Sequence, residues 1–196
     1  PTAKGIFNAI NTTYKFLTNK ELRESTIAIS GVGKVGSKLS KLLFEKKANL
    51  IVSNIGRDPI DQLKHEKISF MESDINSIFE QECDIISPCA LGRAINSETK
   101  KKLKCKAIVG AANNQLDKSE TAEWLRENNI FYAPDYLVNS GGVIAISCEI
   151  NNSEDTLDDQ LNKISDKVLL LLKESKKSSL STDKIVEDLA WKRINI

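Results

Sequence analysis

Thr26 to Asn54 restricts this chain to one class of fold, because it reads as strand, glycine turn, helix and strand without interruption. Thr26-Ile27-Ala28-Ile29-Ser30 is a short β-branched apolar run, as a strand buried on both faces requires. Gly31-Val32-Gly33-Lys34-Val35-Gly36 follows at once, and Val35, Leu39, Leu42 and Leu43 then recur at helical spacing. Leu50-Ile51-Val52 is a second buried strand, ending at Ser53-Asn54. A GxGxxG turn inside a βαβ unit is the signature of a dinucleotide site. Gly31 permits the tight turn, Gly33 admits a pyrophosphate to the backbone, and Gly36 lets the helix pack close on the strand. The freed amides at the helix start then face the phosphates, and Val32, Lys34 and Val35 are counted with the glycines among the cofactor-binding residues. The plainer alternative is a structural glycine turn.

Such sites usually carry an Asp or Glu at the end of the second strand, where it accepts hydrogen bonds from the ribose. Here the position is Asn54, 23 residues past Gly31, and Ile55 belongs to the same stretch. An amide can bond a ribose hydroxyl without the strength of a charged acceptor. It also removes a charge that would repel a 2′-phosphate, and Arg57 and Lys34 are near enough in sequence to meet one. The cofactor is therefore expected to be NAD or NADP, with the two cations read alternatively as solvated surface residues.

The 28 basic and 27 acidic residues leave a net charge of +1, so no general basic field attracts nucleic acid. No apolar run approaches a membrane span, and Pro1-Thr2-Ala3-Lys4 does not read as a signal peptide. Cys83, Cys89, Cys105 and Cys148 form no CxxC pair and suit buried thiols in a reducing cytoplasm. His65 is the only histidine and lies in a polar stretch, which leaves no two-histidine metal site and makes a Ser-His-Asp triad a poor fit.

Along the chain, Ile6, Ile10 and Tyr14 predict an amphipathic helix with Thr2 as its N-cap. A weak helix through Leu63 leads to a third strand at Ile68 to Met71, then a short helix around Ile75 to Phe79. Asp84 to Ser87 and Ala107 to Gly110 predict strands whose ends face a ligand. Asn96 is expected to cap a short helix to Leu103. A helix around Thr121 to Asn128 and a strand at Ile130 to Tyr132 come next. From Ala133 the sequence passes into a long apolar helix, then a helix over Leu157 to Leu172, then a final helix capped by Ser181. The expected fold class is α/β, a Rossmann-type doubly wound, mostly parallel sheet with flanking helices. Residues 1–150 form the dinucleotide-binding unit with its leading helix, and 151–196 form C-terminal helices packed on it.

Five ordered stretches resemble the Glu/Leu/Phe/Val amino-acid dehydrogenases, the leucine and phenylalanine branch above all. They are Thr2 to Gly5, Gly31 to Gly36, Cys83 to Ile85 with Pro88 to Gly92, Gly110 to Leu116, and Ala133 to Tyr136 with Asn139 to Ile144. The resemblance implies reversible oxidative deamination of an L-amino acid to a 2-oxo acid, with hydride passing to nicotinamide. It implies that Cys89, Ala90 and Leu91 line the nicotinamide side of a cleft and that Ala112 and Asn113 lie near its ribose. Asn139 would sit by nicotinamide and substrate, and Val143 and Ile146 would line an apolar substrate pocket, ordinary helix core being the other reading.

Three departures qualify that expectation. The family's lysine-bearing catalytic domain finds no counterpart in this sequence, so no catalytic residue is assigned and deamination is expected to need a partner or second domain. Asn54 replaces the ribose-binding Asp, and Arg93 stands where the nearest members have a second glycine. The readings carried forward are a cofactor-binding half of an amino-acid dehydrogenase, a non-catalytic NAD(P)-binding or scaffold module, and, least well matched, a SAM-dependent methyltransferase. Self-association, or a partner that supplies the catalytic half, is expected of such a chain.

Overall fold

In a computed structural model, which describes residues 1–194, six strands form a sheet with every pairing parallel. They are β1 (Thr26–Ser30), β2 (Asn49–Ser53), β3 (Met71–Glu72), β4 (Ile85–Pro88), β5 (Ala107–Ile108) and β6 (Phe131–Tyr132), in spatial order 3-2-1-4-5-6. This is the doubly wound order, with its reversal between β1 and β4. Side chains alternate across the pleat. Ile27, Ile29, Leu50, Val52, Ile85 and Ala107 enter one core, while Ala28, Ile51, Ile86 and Ile108 enter the other.

The first core is thick. It is covered by α1 (Thr2–Thr18), α2 (Lys34–Glu45), α3 (Asp58–His65) and α7 (Leu157–Ser175). In α1 the residues Ala3, Ile6, Ile10 and Tyr14 are buried at helical spacing, and Asn19 ends the helix in a left-handed conformation at φ 56°. The second core is thin. Apart from Leu125 of α4 (Ser119–Glu127), it is roofed by single 3-10 turns at Ile78–Glu80 and Thr99–Lys102 and their neighbours.

Several expectations need correction. Pro1, not Thr2, occupies the N-cap of α1, and no side chain caps that helix. The third strand begins at Met71 rather than Ile68: Ile68 closes α3 by donating its amide to Leu63, and only Met71 and Glu72 reach β2. The stretch expected as one long apolar helix is two pieces, α5 (Asp135–Val138) and α6 (Gly141–Ile150). The break falls at Gly141, where a Cβ would lie 2.8 Å from the Pro1 carbonyl oxygen, so the first turn of α1 presses directly on the start of α6. Ser181 precedes α8 (Thr182–Ile194), but its hydroxyl donates to Glu123 rather than serving the helix amides. Asn96 does what was expected, accepting from the amides of Glu98 and Thr99 at the head of its turn. Asn195 and Ile196, the end of the expected helical segment, lie outside the described residues. Among the described residues no helix is long and apolar enough to cross a membrane.

Candidate functional site

The carboxyl ends of β1, β2 and β4 open onto a common cleft at the reversal of strand order, the place where ligands bind in open α/β sheets. The three glycines of the turn divide the labour as their spacing implies. A Cβ on Gly31 would meet the Ala90 Cβ at 2.6 Å, and its φ of 97° is one that side chains rarely adopt. A Cβ on Gly36 would lie 2.0 Å from the Gly31 carbonyl oxygen, so α2 packs hard against the turn that precedes it. Gly33 has nothing within 4 Å of its Cβ position. It also stands at the N-cap of α2, which no side chain caps. Unclaimed amides and the positive end of a 12-residue helix therefore face open space, an arrangement that accepts phosphate.

Beside the turn lies a cavity of about 210 Å3 whose walls include Gly31, Asn54, Ile55, Phe79, Ala90 and Leu91. The structure thus brings together residues drawn from four separate sequence stretches. Ile55 and Leu91 are 78% and 73% exposed, unusual for large apolar side chains unless something covers them. Asn54 is tied into the protein. Its Oδ1 accepts the Val32 amide at 3.0 Å and its Nδ2 donates to the Gly56 carbonyl at 2.8 Å. This explains the amide at a position where a carboxylate is usual: an Asp could accept from Val32 but would turn its other oxygen towards a carbonyl.

Arg57, expected either to meet a 2′-phosphate or to be a solvated surface residue, is exposed and ion-paired. Its Nε lies 3.2 Å from Asp61 and its guanidinium also pairs with Glu72 at the end of β3. Glu72 is held in turn by Lys64 at 3.0 Å, and that hydrogen bond lowers its pKa from the ordinary carboxylate value. Arg57 is therefore committed to carboxylates, whereas Lys34 is exposed at the start of α2.

The opposite half of the rim is built on the loops after β4 and β5. A Cβ on Gly92 would lie 2.6 Å from the Asn113 carbonyl oxygen, so the loop that carries Cys89, Ala90 and Leu91 abuts the one that carries Ala112 and Asn113. Arg93 joins them by donating its amide to the Asn114 carbonyl at 2.6 Å, and it does so at φ 57°. A left-handed residue is needed there, a conformation that glycine adopts without strain. Asn139 Nδ2 donates to Asn113 Oδ1 at 2.6 Å, pairing two residues expected at the site. Ala112 is buried and contributes backbone only, while Asn113 is exposed. Burial raises the Cys89 pKa, so it serves as a neutral thiol. Val143 and Ile146 on α6 are 72% and 58% exposed, which rules out the helix-core reading in this chain.

Two supporting residues escaped the sequence reading. Asp135 accepts the Asn114 amide and the Tyr132 hydroxyl, each at 3.0 Å, and so fixes the loop after β5. Gln115, fully buried, donates through Nε2 to the carbonyls of Gly110 and Ala112. Both lie in stretches quoted for the family resemblance, and a polar residue beside small ones at a strand end was the available signal.

Comparison with known proteins agrees with this geometry. Residues 52–185 match the model of the Glutamate/Leucine/Phenylalanine/Valine dehydrogenase family. The chain is 36% identical to phenylalanine dehydrogenase of Thermoactinomyces intermedius over 99% of its own length and 54% of that protein's. It is 41% identical to leucine dehydrogenase of Bacillus subtilis (strain 168) over 76% of its length and 41% of the relative's. The crystal structure of L-tryptophan dehydrogenase from Nostoc punctiforme superimposes with a TM-score of 0.94 at 30% identity, covering 99% of this chain and 60% of that one. The chain spans about half the length of the curated relatives it matches. Shared sequence across the sheet, the cleft and the C-terminal helices, together with a superimposable fold, makes this chain a member of the Glu/Leu/Phe/Val dehydrogenase family.

Proposed function

We propose that these residues form the dinucleotide-binding half of an NAD(P)-dependent amino-acid dehydrogenase that deaminates an apolar L-amino acid to a 2-oxo acid. The observation that carries the proposal is the open Gly33 at the uncapped start of α2, facing a cleft at the switch point of the sheet. The nicotinamide, when bound, supplies the hydride acceptor. The protein's own part is to hold and orient it. The α2 amides and Lys34 face the pyrophosphate, and the spare hydrogen-bonding capacity of Asn54 faces a ribose. Ile55 and Leu91 give the cleft apolar walls. The hydrogen-bonded pair Asn113 and Asn139 orients polar groups on the other side. The exposure of Val143 and Ile146 supports their lining a pocket for an apolar side chain. The acid and base of the deamination are assigned to a separate domain or partner chain, since hydride transfer needs the substrate clamped within about 3–3.5 Å of its acceptor.

Calorimetric titration of the chain with NAD, NADH, NADP and NADPH tests the reading. Binding of one oxidised and reduced pair with a dissociation constant of about micromolar is expected. A folded chain that binds none of the four refutes it. A non-catalytic module would bind equally well and differ downstream, never reducing the nicotinamide with leucine or phenylalanine in any complex that supplies the acid and base. The observation on its side is that both polar atoms of Asn54 already serve the backbone.

A further inference from the structure

A neutral residue at the end of β2 leaves cofactor choice open at that position, because Asn54 neither rewards a 2′-hydroxyl with charge nor repels a 2′-phosphate. The decision must come from the charges around it. Arg57 is three residues on, next to Gly56, whose carbonyl accepts from Asn54 Nδ2, and the structure occupies its guanidinium from two sides. Asp61 holds its Nε from the next turn of α3, and Glu72 holds its terminal nitrogen from β3. Glu72 reaches it because parallel pairing sets Glu72 beside Val52, two residues before Asn54. Lys64 is the second cation of the group and is also directed at Glu72. With Asp58 in the first turn of α3, the cluster holds two cations against three carboxylates. A phosphate dianion entering beside Asn54 would meet a guanidinium already paired with two carboxylates. Lys34 lies across the Gly31 turn at the start of α2, the pyrophosphate side of the site.

We infer that Glu72 sets cofactor choice: by holding Arg57, three residues past Asn54, it makes the site select NAD over NADP. The inference rests on the dinucleotide reading above and adds a specificity-determining residue to it. A planar guanidinium suits bidentate pairing with carboxylate or phosphate alike, so whichever acid stands nearest takes it. Glu72 is 38% exposed on its side chain and supports no core packing, so its replacement leaves the fold intact.

The test is calorimetric titration of the chain and of two variants with NADH and with NADPH at low ionic strength. The unaltered chain is expected to bind NADH more tightly. In Glu72→Gln the ratio of NADPH to NADH affinity rises about tenfold. In the double variant Glu72→Gln, Arg57→Gln that gain disappears, which identifies Arg57 as the group released. An unaltered chain that prefers NADPH, a ratio unmoved by Glu72→Gln, or a gain that survives loss of Arg57 overturns this inference alone. Binding of neither dinucleotide by a chain folded on circular dichroism overturns the cofactor reading itself, and this inference with it.

Discussion

At the scale of single residues, the three glycines of the turn separate folding from binding. Gly36 has no room: an added methyl would stand 2.0 Å from a backbone oxygen, and a backbone oxygen cannot swing aside. Gly36→Ala is therefore expected to destabilise the fold by roughly 1–3 kcal/mol or more. Gly33 has open space and an ordinary φ of −67°. Gly33→Ala should shift stability by no more than about 0.5 kcal/mol. Yet it should weaken dinucleotide binding about tenfold, because the methyl occupies the pyrophosphate's approach. Thermal melts and titrations of the two variants check this pair, and a Gly33→Ala that binds normally would place the phosphates elsewhere. This much was legible in the sequence, since three glycines at fixed offsets between a strand and a helix have few physical uses. The partnership of Arg57 with Glu72 was not. It spans 15 residues and depends on the register of β3, which the sequence reading began at Ile68. With the strand ended at Met71, Glu72 drew no reading, and Arg57 was left either to meet a 2′-phosphate or to stand solvated at the surface.

At the scale of elements, the strands along the centre of the sheet were read closely, while the short strands beside them were found with looser bounds. β1, β2 and β4 are continuous apolar runs because both faces are covered, a pattern without competitors. β3, β5 and β6 are two residues long, so alternation located them but could not fix their ends. Ser181 illustrates the same limit at a helix end: its hydroxyl was expected to cap α8, but it donates to Glu123 on α4. Glu123 is the anchor of that contact, accepting also from Lys184 at 2.7 Å and Arg126 at 3.1 Å. Led by the Lys184 hydrogen bond, these partners push its pKa down from 4.5 to about 2. A carboxylate depressed in the folded state stabilises above its unfolded pKa and stops doing so as pH falls through the folded one. The docking of α8 on α4 is thus expected to weaken between about pH 4.5 and 2 and to be unaffected above that window. Glu123→Gln should mimic the acid state at neutral pH, with a cost of about 1 kcal/mol for a partly exposed network. Hydrogen exchange of the α8 amides reads both effects, and exchange as slow in the variant as in the parent would assign the docking to apolar contacts such as Ile185.

At the scale of the whole molecule, the first and last thirds of the chain close on one another beneath the site. Gly5 of α1 lies against Ile164 of α7, where a Cβ would come within 2.8 Å of the Ile164 Cδ1. Ile164 is fully buried and belongs to the same core as Ile6, Ile10, Ile27 and Leu39. The start of α1 then presses on Gly141 and Gly142, which begin α6 and its exposed Val143 and Ile146. Helices after residue 150 therefore buttress the residues assigned to the substrate side, although no residue in them was assigned to the cofactor. Ile164→Ala tests whether this clasp is one cooperative unit with the sheet. Truncating a buried isoleucine typically costs about 2–5 kcal/mol, which for a chain of this length lowers the midpoint by roughly 5–15 °C. If the core is continuous, the variant melts in a single transition, with far-ultraviolet circular dichroism and the fluorescence of the two tryptophans, Trp124 and Trp191, moving together. Trp124 packs on the opposite face of the sheet from Ile164, so its coincidence with the helix signal is informative. A first transition that unfolds helix while Trp124 stays native would instead make the C-terminal helices a separable layer. Dinucleotide binding would then survive the mutation even as the apolar pocket on α6 lost its support.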